Sequence, residues 1–515
     1  MARQGRPVRR GARARPARQL GRPRARRHRH RLHDLPGSHR RGPPGRHPGP
    51  DDASPRLVPP AGRPGRDVRQ AAAQVRPRRP GRGGRPPAAR RHAPRPRVST
   101  PRAVRRAGAR AGPGRWRGPG IVKIGLVTPY VYPLPGGVNQ HVRYLYENLR
   151  LREHDVRIIT SSHGLQRASE GDVIRIGKGI SVPSNGSVGT VTVSPRYLSQ
   201  VREVLEREQF DLLHFHEPFV PFLSLVTLRL STSVNIGTFH AYGGFSPAYE
   251  FGSRFLGSYA RRLHGRIAVS AAARHFIDRY FPGDYKVIPN GVDTARFARA
   301  VPIARWQDGT KNILFVGRFE PRKGLLDLLK AYRILRRTGC NCRLLVVGAG
   351  PQAKEARRYL QTRKLGNVEF LGRVTDEERD ALFKTADVYC SPATGRESFG
   401  IVLLEAMAAG TAIVCSDIHG YKGVVRRGRE GLLVPPHKPK ALAAALAQVL
   451  ADDELRESMA RSGLERAEEY SWERVTAKVE EYYGFVIRRL AAQNQLPSSF
   501  HADVPSDPRL AVPAA

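Results

Sequence analysis

Two successive series of short apolar runs, each run followed by a helical stretch, constrain this chain more than any other feature. The first series opens with IVKIGLVTPY at Ile121 and continues through DVRIIT, DLLHFH, VNIGTFH, RIAVS and KVIPNG. The second opens with NILFVGRF and continues through CRLLVVGAG, VEFLGRV, DVYCSP, AIVCSD and GLLVPP, alternating with helices such as LLDLLKAYRILRRT and PKALAAALAQVLADD. Apolar runs of this length, closed by turn residues, mark strands buried on both faces, which belong to parallel sheets with helical crossovers. About six strands per series predict an α/β fold of two Rossmann-like, doubly wound domains facing across a cleft, with a single barrel as the alternative. The boundary is expected between Asn290 and Gln307, giving domains over 121–300 and 301–470. SWERVTAKVEEYYGFVIRRL predicts a last helix within 471–492 that crosses back to the first domain, and 493–515 read as a disordered tail. Ligands of such folds sit at the carboxyl ends of the strands, hence in the cleft.

The formal charge of +45 first suggests a nucleic-acid or membrane partner. It is unevenly placed: residues 1–120 hold 35 Arg, four Asp and neither Lys nor Glu, a net +31, which leaves +14 for the rest. This Arg/Pro/Gly-rich extension has neither helical nor strand periodicity and too few apolar residues to offset its ordering entropy, so disorder is expected. It reads as a phosphate-binding tail, as a solvated tail, or as a GC-rich frame translated upstream of a start near Ile121 or Val122. The last reading is preferred, and no nucleic-acid partner is expected. Cys340, Cys342, Cys390 and Cys415 form no CxxC pair and read as idle thiols in a reducing cytosol. No run of about 20 apolar residues predicts a membrane-spanning helix, and the N-terminus lacks the apolar stretch of a secretory signal.

Three segments carry candidate chemistry. Gly136-Gly137 follows the first strand, where glycine permits a tight turn and lets a phosphate or sugar approach the backbone at a helix N-terminus; a purely structural turn reads equally well. Gly317-Arg318-Phe319-Glu320-Pro321-Arg322-Lys323-Gly324 follows NILFV, and two cations, Arg318 and Lys323, at a strand's carboxyl end suit a diphosphate leaving group better than a solvated loop does. The segment lacks GxxxxGK[ST] and is not an ATPase P-loop. Glu397-Ser398-Phe399-Gly400-Ile401-Val402-Leu403-Leu404-Glu405 places one carboxylate before a helix and another inside it. Glu405 lies amid apolar residues and needs donors, which sugar or ribose hydroxyls would supply; a satisfied core glutamate is the bland alternative. The helix N-terminus at Gly400, Ile401 and Val402 offers free amides to a phosphate. His240 ends the strand VNIGTF and would reach the cleft from the first domain, although a structural histidine is the preferred reading at a strand end. His214-Phe215-His216-Glu217 has a metal-like composition, but both histidines fall on one strand face without further ligands nearby in sequence, so no metal is expected. The chain also lacks a DxD carboxylate pair.

Arg318-x4-Lys323, the E-x7-E from Glu397 to Glu405, the PGG turn, GTFH and IPNGVD together resemble the family 4 glycosyltransferases of the GT-B fold, over roughly residues 122–490. Runs such as GRIAVS, EPRKG and ESFGIVLLEAMAAGTA are similar to those of the actinobacterial phosphatidylinositol mannosyltransferases. The resemblance implies a retaining hexosyltransferase that uses a nucleotide-diphospho-sugar of mannose or glucose type and a lipid or glycan acceptor, with no metal or cofactor required. It implies that Gly137 approaches the donor, that Arg318 and Lys323 neutralise the leaving diphosphate, that Glu397 binds the transferred sugar and Glu405 the ribose, and that His240 contacts the sugar near the reacting carbon. It also implies domain closure around the donor and a cytoplasmic enzyme, peripheral at the inner membrane face if the acceptor is a lipid. The acceptor side departs from the mannosyltransferase pattern. After NGSV the stretch RYLSQVREVLEREQF interleaves acids with its arginines, and Ala241-Tyr242-Gly243-Gly244-Phe245 replaces a polar loop with a lysine. Arg254, Arg261, Arg262 and Arg266 read as a solvated helix surface rather than a basic face. A nucleotide-sugar epimerase and a silent nucleotide-sugar-binding protein are the alternatives.

Overall fold

The computed structural model describes residues 120–134, 136–162, 169–184, 187–192, 197–243 and 247–504. The expectations for residues 1–119 lie outside the described residues. Two open sheets are present and no barrel closes among the described residues. The first contains β1 (Lys123–Val127), β2 (Asp155–Ser162), β3 (Ser169–Glu170), β4 (Val173–Ser184), β5 (Ser187–Thr192), β6 (Leu212–His216), β7 (Val234–Phe239), β8 (Gly265–Ala268) and β9 (Lys286–Val287). Their order is β3-β4-β2-β1-β6-β7-β8-β9, with β5 paired to β4. Seven of them run parallel, and β3 and β5 join β4 antiparallel. The second sheet holds β10 (Lys311–Val316), β11 (Cys342–Val347), β12 (Val368–Gly372), β13 (Val388–Ser391), β14 (Ala412–Ser416) and β15 (Gly431–Val434). Its order is β12-β11-β10-β13-β14-β15, all parallel.

In each sheet the chain winds outward from a central strand on one side and then returns to wind on the other. The switch points, between β1 and β6 and between β10 and β13, are where such sheets leave a crevice. Every residue of β6, β7 and β14 is buried, as uninterrupted apolar runs require. The segment β3 to β5 is not among the expected strands. It is an edge with a hairpin, where glycines and polar residues interrupt the apolar run, so the signal that marks the central strands is lost.

The helix Gly137–Leu151 buries Val142, Leu145 and Leu149, at helical spacing, against the first sheet. The last helix, Trp472–Ala492, inserts Val475, Val479, Tyr483, Val486 and Leu490 into that same core, beside Ile124 and Leu126. The chain therefore passes from the first sheet to the second and back, and the two crossings meet. The Val292 amide donates to the Tyr470 carbonyl at 2.9 Å, and Trp472 stacks on Tyr144 with ring centres 5.3 Å apart. Gly291 lies beneath the indole so closely that a Cβ there would stand 2.5 Å from Trp472 Cδ2.

The expected disordered tail is corrected for its first part. Leu496, Phe500, Ala502 and Val504 pack against the first core. The buried Ser499 donates its hydroxyl to the Thr232 carbonyl at 2.6 Å, and the amides of His501 and Ala502 both donate to Asp211 Oδ1. These residues form neither helix nor strand, so their apolar side chains follow no period that a sequence reading could detect. Residues 505–515 lie outside the described residues.

Replacing Trp472 with Ala removes the side chain that fills the crossing and should lower stability by about 3–5 kcal/mol in chemical denaturation. An unchanged midpoint would show that the crossing is held elsewhere.

Candidate active site

The Gly137 turn after β1, Tyr242 after β7 and Ser270 after β8 lie against the segments that follow β13 and β14 of the second sheet. Gly136 precedes the helix Gly137–Leu151 in extended backbone, and a Cβ on Gly137 would lie 3.8 Å from Ile401 Cδ1. The glycine turn of one domain thus faces the N-terminus of helix Ile401–Ala408 in the other. Gly400 caps that helix at φ 91°, and a side chain there would also collide with the Tyr421 ring at 2.8 Å, so only glycine opens the turn. The cleft is bridged elsewhere: Ser270 donates its hydroxyl to the Ser398 carbonyl at 2.6 Å, and Tyr242 stacks on His419 at 5.9 Å.

The loop after β10 carries the charges. Arg318 pairs with Glu320 at 3.2 Å, Glu320 with Arg322 at 2.9 Å, and Lys323 with Glu397 Oε1 at 2.8 Å. Arg322 also reaches Glu397 Oε1, closing a continuous run of alternating charge. Gly317 precedes this run, with the Gly348 backbone packed on its carbonyl. Gly324 ends the run at φ 74°, where a Cβ would lie 1.9 Å from the Pro392 carbonyl oxygen; this close turn sets Lys323 beside Glu397. Arg322 was not singled out from sequence, although it lies within the same motif.

Glu405 is buried, and its partners are cationic side chains: Oε1 lies 3.4 Å from Arg379 Nη2 and 3.9 Å from Arg296 Nη2. Arg296 in turn pairs with Asp380 at 2.7 Å and donates to the Tyr144 hydroxyl at 2.8 Å. A carboxylate at this depth needs compensating charge, and these two arginines provide it. Phe399 belongs to the second domain's core, its ring 5.9 Å from Tyr470, and Val402 packs against the same core. The buried Phe399 can serve a ligand only through its backbone.

His240 ends β7 in a group of four imidazoles. Its Nε2 lies 3.1 Å from His216 Nδ1, and His141 Nδ1 lies 2.9 Å from Asn290 Oδ1. His214 is held between the Tyr483 and Thr238 hydroxyls at 2.7 and 2.6 Å. Burial pushes the pKa of His141 down to about 4 and that of His214 to about 3, and it holds His216 and His240 well below the usual range, so all four are neutral at pH 7. Glu217 positions His240: its Oε1 accepts the amides of His240 and Ala241, each at 2.7 Å. Desolvation pushes the Glu217 carboxyl up to about 7 against those two bonds.

Sequence reasoning missed His141 and the positioning role of Glu217. His141 lies one helical turn beyond Gly137, a spacing that would have placed it toward the cleft. Arg262 and Arg266 do not form a basic face; they donate to carbonyls at Leu228, Ser231, Ala260 and Pro282. Arg254 and Arg261 are exposed. Cys342, Cys390 and Cys415 are buried, and burial pushes their thiols up, the character of unreactive cysteines.

With the fold and cleft in place, the class is defined. Residues 135–296 match the model described as Glycosyltransferase Family 4 and residues 299–466 the one described as Glycosyl transferases group 1. The chain belongs to the group 1/family 4 glycosyltransferases, with the GT-B architecture. The phosphatidyl-myo-inositol mannosyltransferase of Mycolicibacterium smegmatis is 37% identical over 363 residues, 70% of this chain and 93% of the relative. Sucrose-phosphate synthase from Thermosynechococcus elongatus superimposes with a TM-score of 0.57 at 25% identity, covering 72% of this chain and all of that one. Anabaena HepE in complex with UDP and glucose shares the fold at a TM-score of 0.56 and 19% identity, over 70% of this chain and 99% of its own.

Glu217→Gln keeps the accepting Oε1 and removes the charge. Because the folded-state carboxyl titrates near pH 7, above its unfolded value, the parent binds more protons folded than unfolded between about pH 4.5 and 7. Parent stability therefore falls as pH rises through that window. Denaturation curves should show Glu217→Gln gaining on the parent from pH 5 to pH 8. A constant difference would mean that Glu217 titrates normally.

Proposed function

We propose that the protein transfers a hexosyl group, of mannose or glucose type, from a nucleotide-diphospho-sugar to a lipid or glycan acceptor with retention of anomeric configuration. The observation that carries this reading is the charge run Arg318–Glu320–Arg322–Glu397–Lys323 at the strand ends of the second domain. Glu397 is paired with Lys323. A donor diphosphate exchanges with it: Lys323 and Arg318 turn to the phosphates, and Glu397 is released to accept hydrogen bonds from sugar hydroxyls. The amides at Ile401 and Val402 supply further positive potential to a phosphate at the helix end. This set stabilises the charge that develops as the bond from the anomeric carbon to the phosphate oxygen breaks.

The acceptor hydroxyl forms its bond to the anomeric carbon on the face the phosphate leaves, and its proton passes to the departing phosphate oxygen. His240, a neutral imidazole, hydrogen-bonds the sugar, and Glu217 fixes the backbone that presents it. Arg379 and Arg296 engage Glu405 Oε1, which leaves Oε2 for the ribose hydroxyls. Arg318, Lys323 and the helix amides supply the positive charge that a metal-chelating carboxylate pair would otherwise recruit, so the proposed reaction does not call for a divalent ion.

The relatives named as phosphatidyl-myo-inositol mannosyltransferases support mannose as the sugar and a lipid as the acceptor. Ala241-Tyr242-Gly243 and the mixed-charge helix Tyr197–Glu208 favour a headgroup other than theirs. Among the described residues no helix is long and apolar enough to cross a membrane. Phe251 and Phe255, each 78% exposed one helical turn apart, sit beside Arg254 on helix Pro247–Ala260 and suit peripheral contact with an anionic, cytoplasmic leaflet.

Lys323→Ala and Glu397→Gln test the reading. Turnover of GDP-mannose or a UDP-hexose should fall by about 10²–10³-fold in each, with far smaller effects on thermal stability. Proton NMR of the parent's product should show the donor's anomeric configuration. Undiminished turnover in both variants, or an inverted product, would contradict the assignment. An isomerised, untransferred sugar would mark an epimerase.

A further inference from the structure

Three buried imidazoles, among them the His240 placed against the sugar, converge beside the ends of β6 and β7. His141 comes from the helix after β1, His216 from the end of β6 and His240 from the end of β7. Their ring centres stand 5.1 Å (His141–His216), 4.9 Å (His141–His240) and 5.4 Å (His216–His240) apart. A tetrahedral ion bound about 2.0–2.1 Å from each nitrogen holds neighbouring imidazole centres about 5.2 Å apart. The backbone thus already sets the rings at the separations that a shared ion requires. The candidate ligand nitrogens lie within 4.8 Å of one another, and the His216 Nδ1–His240 Nε2 pair is at 3.1 Å, against about 3.4 Å for two nitrogens on one such ion. The nitrogens that stand up to 4.8 Å apart must close to about 3.4 Å for all three to reach one ion.

The hydrogen bonds leave the right atoms for this. Asn290 Oδ1 can only accept, so His141 Nδ1 carries its proton and Nε2 presents a lone pair. A polar oxygen on the far nitrogen is the support that metal-bound histidines ordinarily have. His216 Nε2 is fully buried and has no hydrogen-bond partner among the described residues. Nothing on that nitrogen opposes a turn of the ring, and an unpaired polar atom at this depth is costly unless something engages it. His240 is the most exposed of the three and gives the route from the cleft.

We propose that His141, His216 and His240 form a three-histidine site for a divalent transition metal of the zinc type, and that filling it inhibits the enzyme. Three neutral nitrogen ligands without a thiolate suit zinc, cobalt, nickel or copper(II), with water in the fourth position. On binding, the ring that donates in the His216 Nδ1–His240 Nε2 hydrogen bond shifts its proton to its own other nitrogen, so both imidazoles stay neutral and both lone pairs turn to the ion. The inhibition rests on the transferase reading, because it takes His240 away from the sugar; the metal site itself does not.

Cobalt(II) chloride titrated into the full, metal-stripped chain is the probe. One equivalent should bind and give the intense visible bands of four-coordinate cobalt, and zinc chloride should displace it. His141→Gln and His216→Gln, each shown folded by thermal unfolding, should lose that spectrum, and Asn290→Ala should weaken binding by about 10–100-fold. Parent turnover should fall with zinc and return with EDTA, while the turnover of His141→Gln no longer responds to zinc. The site is overturned if the parent shows no four-coordinate spectrum, or if both histidine variants keep it, which would place the ion on histidines elsewhere in the chain. Metal binding with turnover indifferent to zinc would overturn the inhibition and the role given to His240, while the site itself would stand.

Discussion

The arrangement depends on the place where the chain crosses twice between its two sheets. The outgoing segment at Asn290 to Val292 and the returning segment at Tyr470 to Trp472 lie side by side, joined by a backbone hydrogen bond and sealed by an indole over a glycine. Everything chemical radiates from that point. Asn290 orients His141, Trp472 packs against the same imidazole at 5.0 Å, and Arg296, six residues beyond Asn290, reaches the Glu405 cluster. The paired crossings therefore set how the two domains meet, together with the contacts of Ser270 with Ser398 and of Tyr242 with His419. A motion about it would change the spacing between the Gly137 turn and the helix at Ile401 without disturbing either core, as closure around a ligand requires.

In the proposed function the charges on the loop after β10 act as exchangeable partners. Glu320 and Glu397 each pair with two cations and share Arg322, so three cations meet two carboxylates and the run keeps one net positive charge. A dianionic group entering there gains attraction but must release a carboxylate, which then needs donors of its own. A sugar diphosphate provides both, with charge at one end and hydroxyls at the other. Inorganic phosphate provides only the first. A bare nucleotide has its hydroxyls on the ribose, which faces Glu405 in the proposed arrangement, and none of the sugar hydroxyls that would face Glu397. The geometry thus favours the intact donor over its fragments, and the same argument makes Gly324 a positioning residue, since its turn sets the distance between the partners.

How much was legible in the sequence follows from which signals are local. The buried runs LLHFH and VNIGTF announce central strands because both faces of a parallel sheet are covered. Arg318, Lys323, Glu397 and the Gly400 cap sit in contiguous motifs, so the loop and helix end could be placed before any coordinates. The partners of Glu405 could not, because Arg296 and Arg379 come from separate helices and only the tertiary fold brings them to one carboxylate. The histidine cluster failed for the same reason: alternation along β6 placed His214 and His216 on one face, but His141 lies 75 residues before His216 and His240 on the next strand. The ordered segment after Gln493 escaped because isolated apolar residues among Ser and Pro show no period, and the buried acceptor that holds them, Asp211, is far away in the chain.

The most direct test of the central claim is thermal unfolding of the protein with GDP-mannose, UDP-glucose, UDP-N-acetylglucosamine and the matching nucleotides. A donor at 100 times its dissociation constant should add about 2.7 kcal/mol, a shift of several degrees. The account predicts stabilisation by one nucleotide-sugar family, larger with the intact sugar than with its nucleotide, and lost in Lys323→Ala. An unchanged transition with every donor, or equal shifts in the parent and Lys323→Ala, would contradict it.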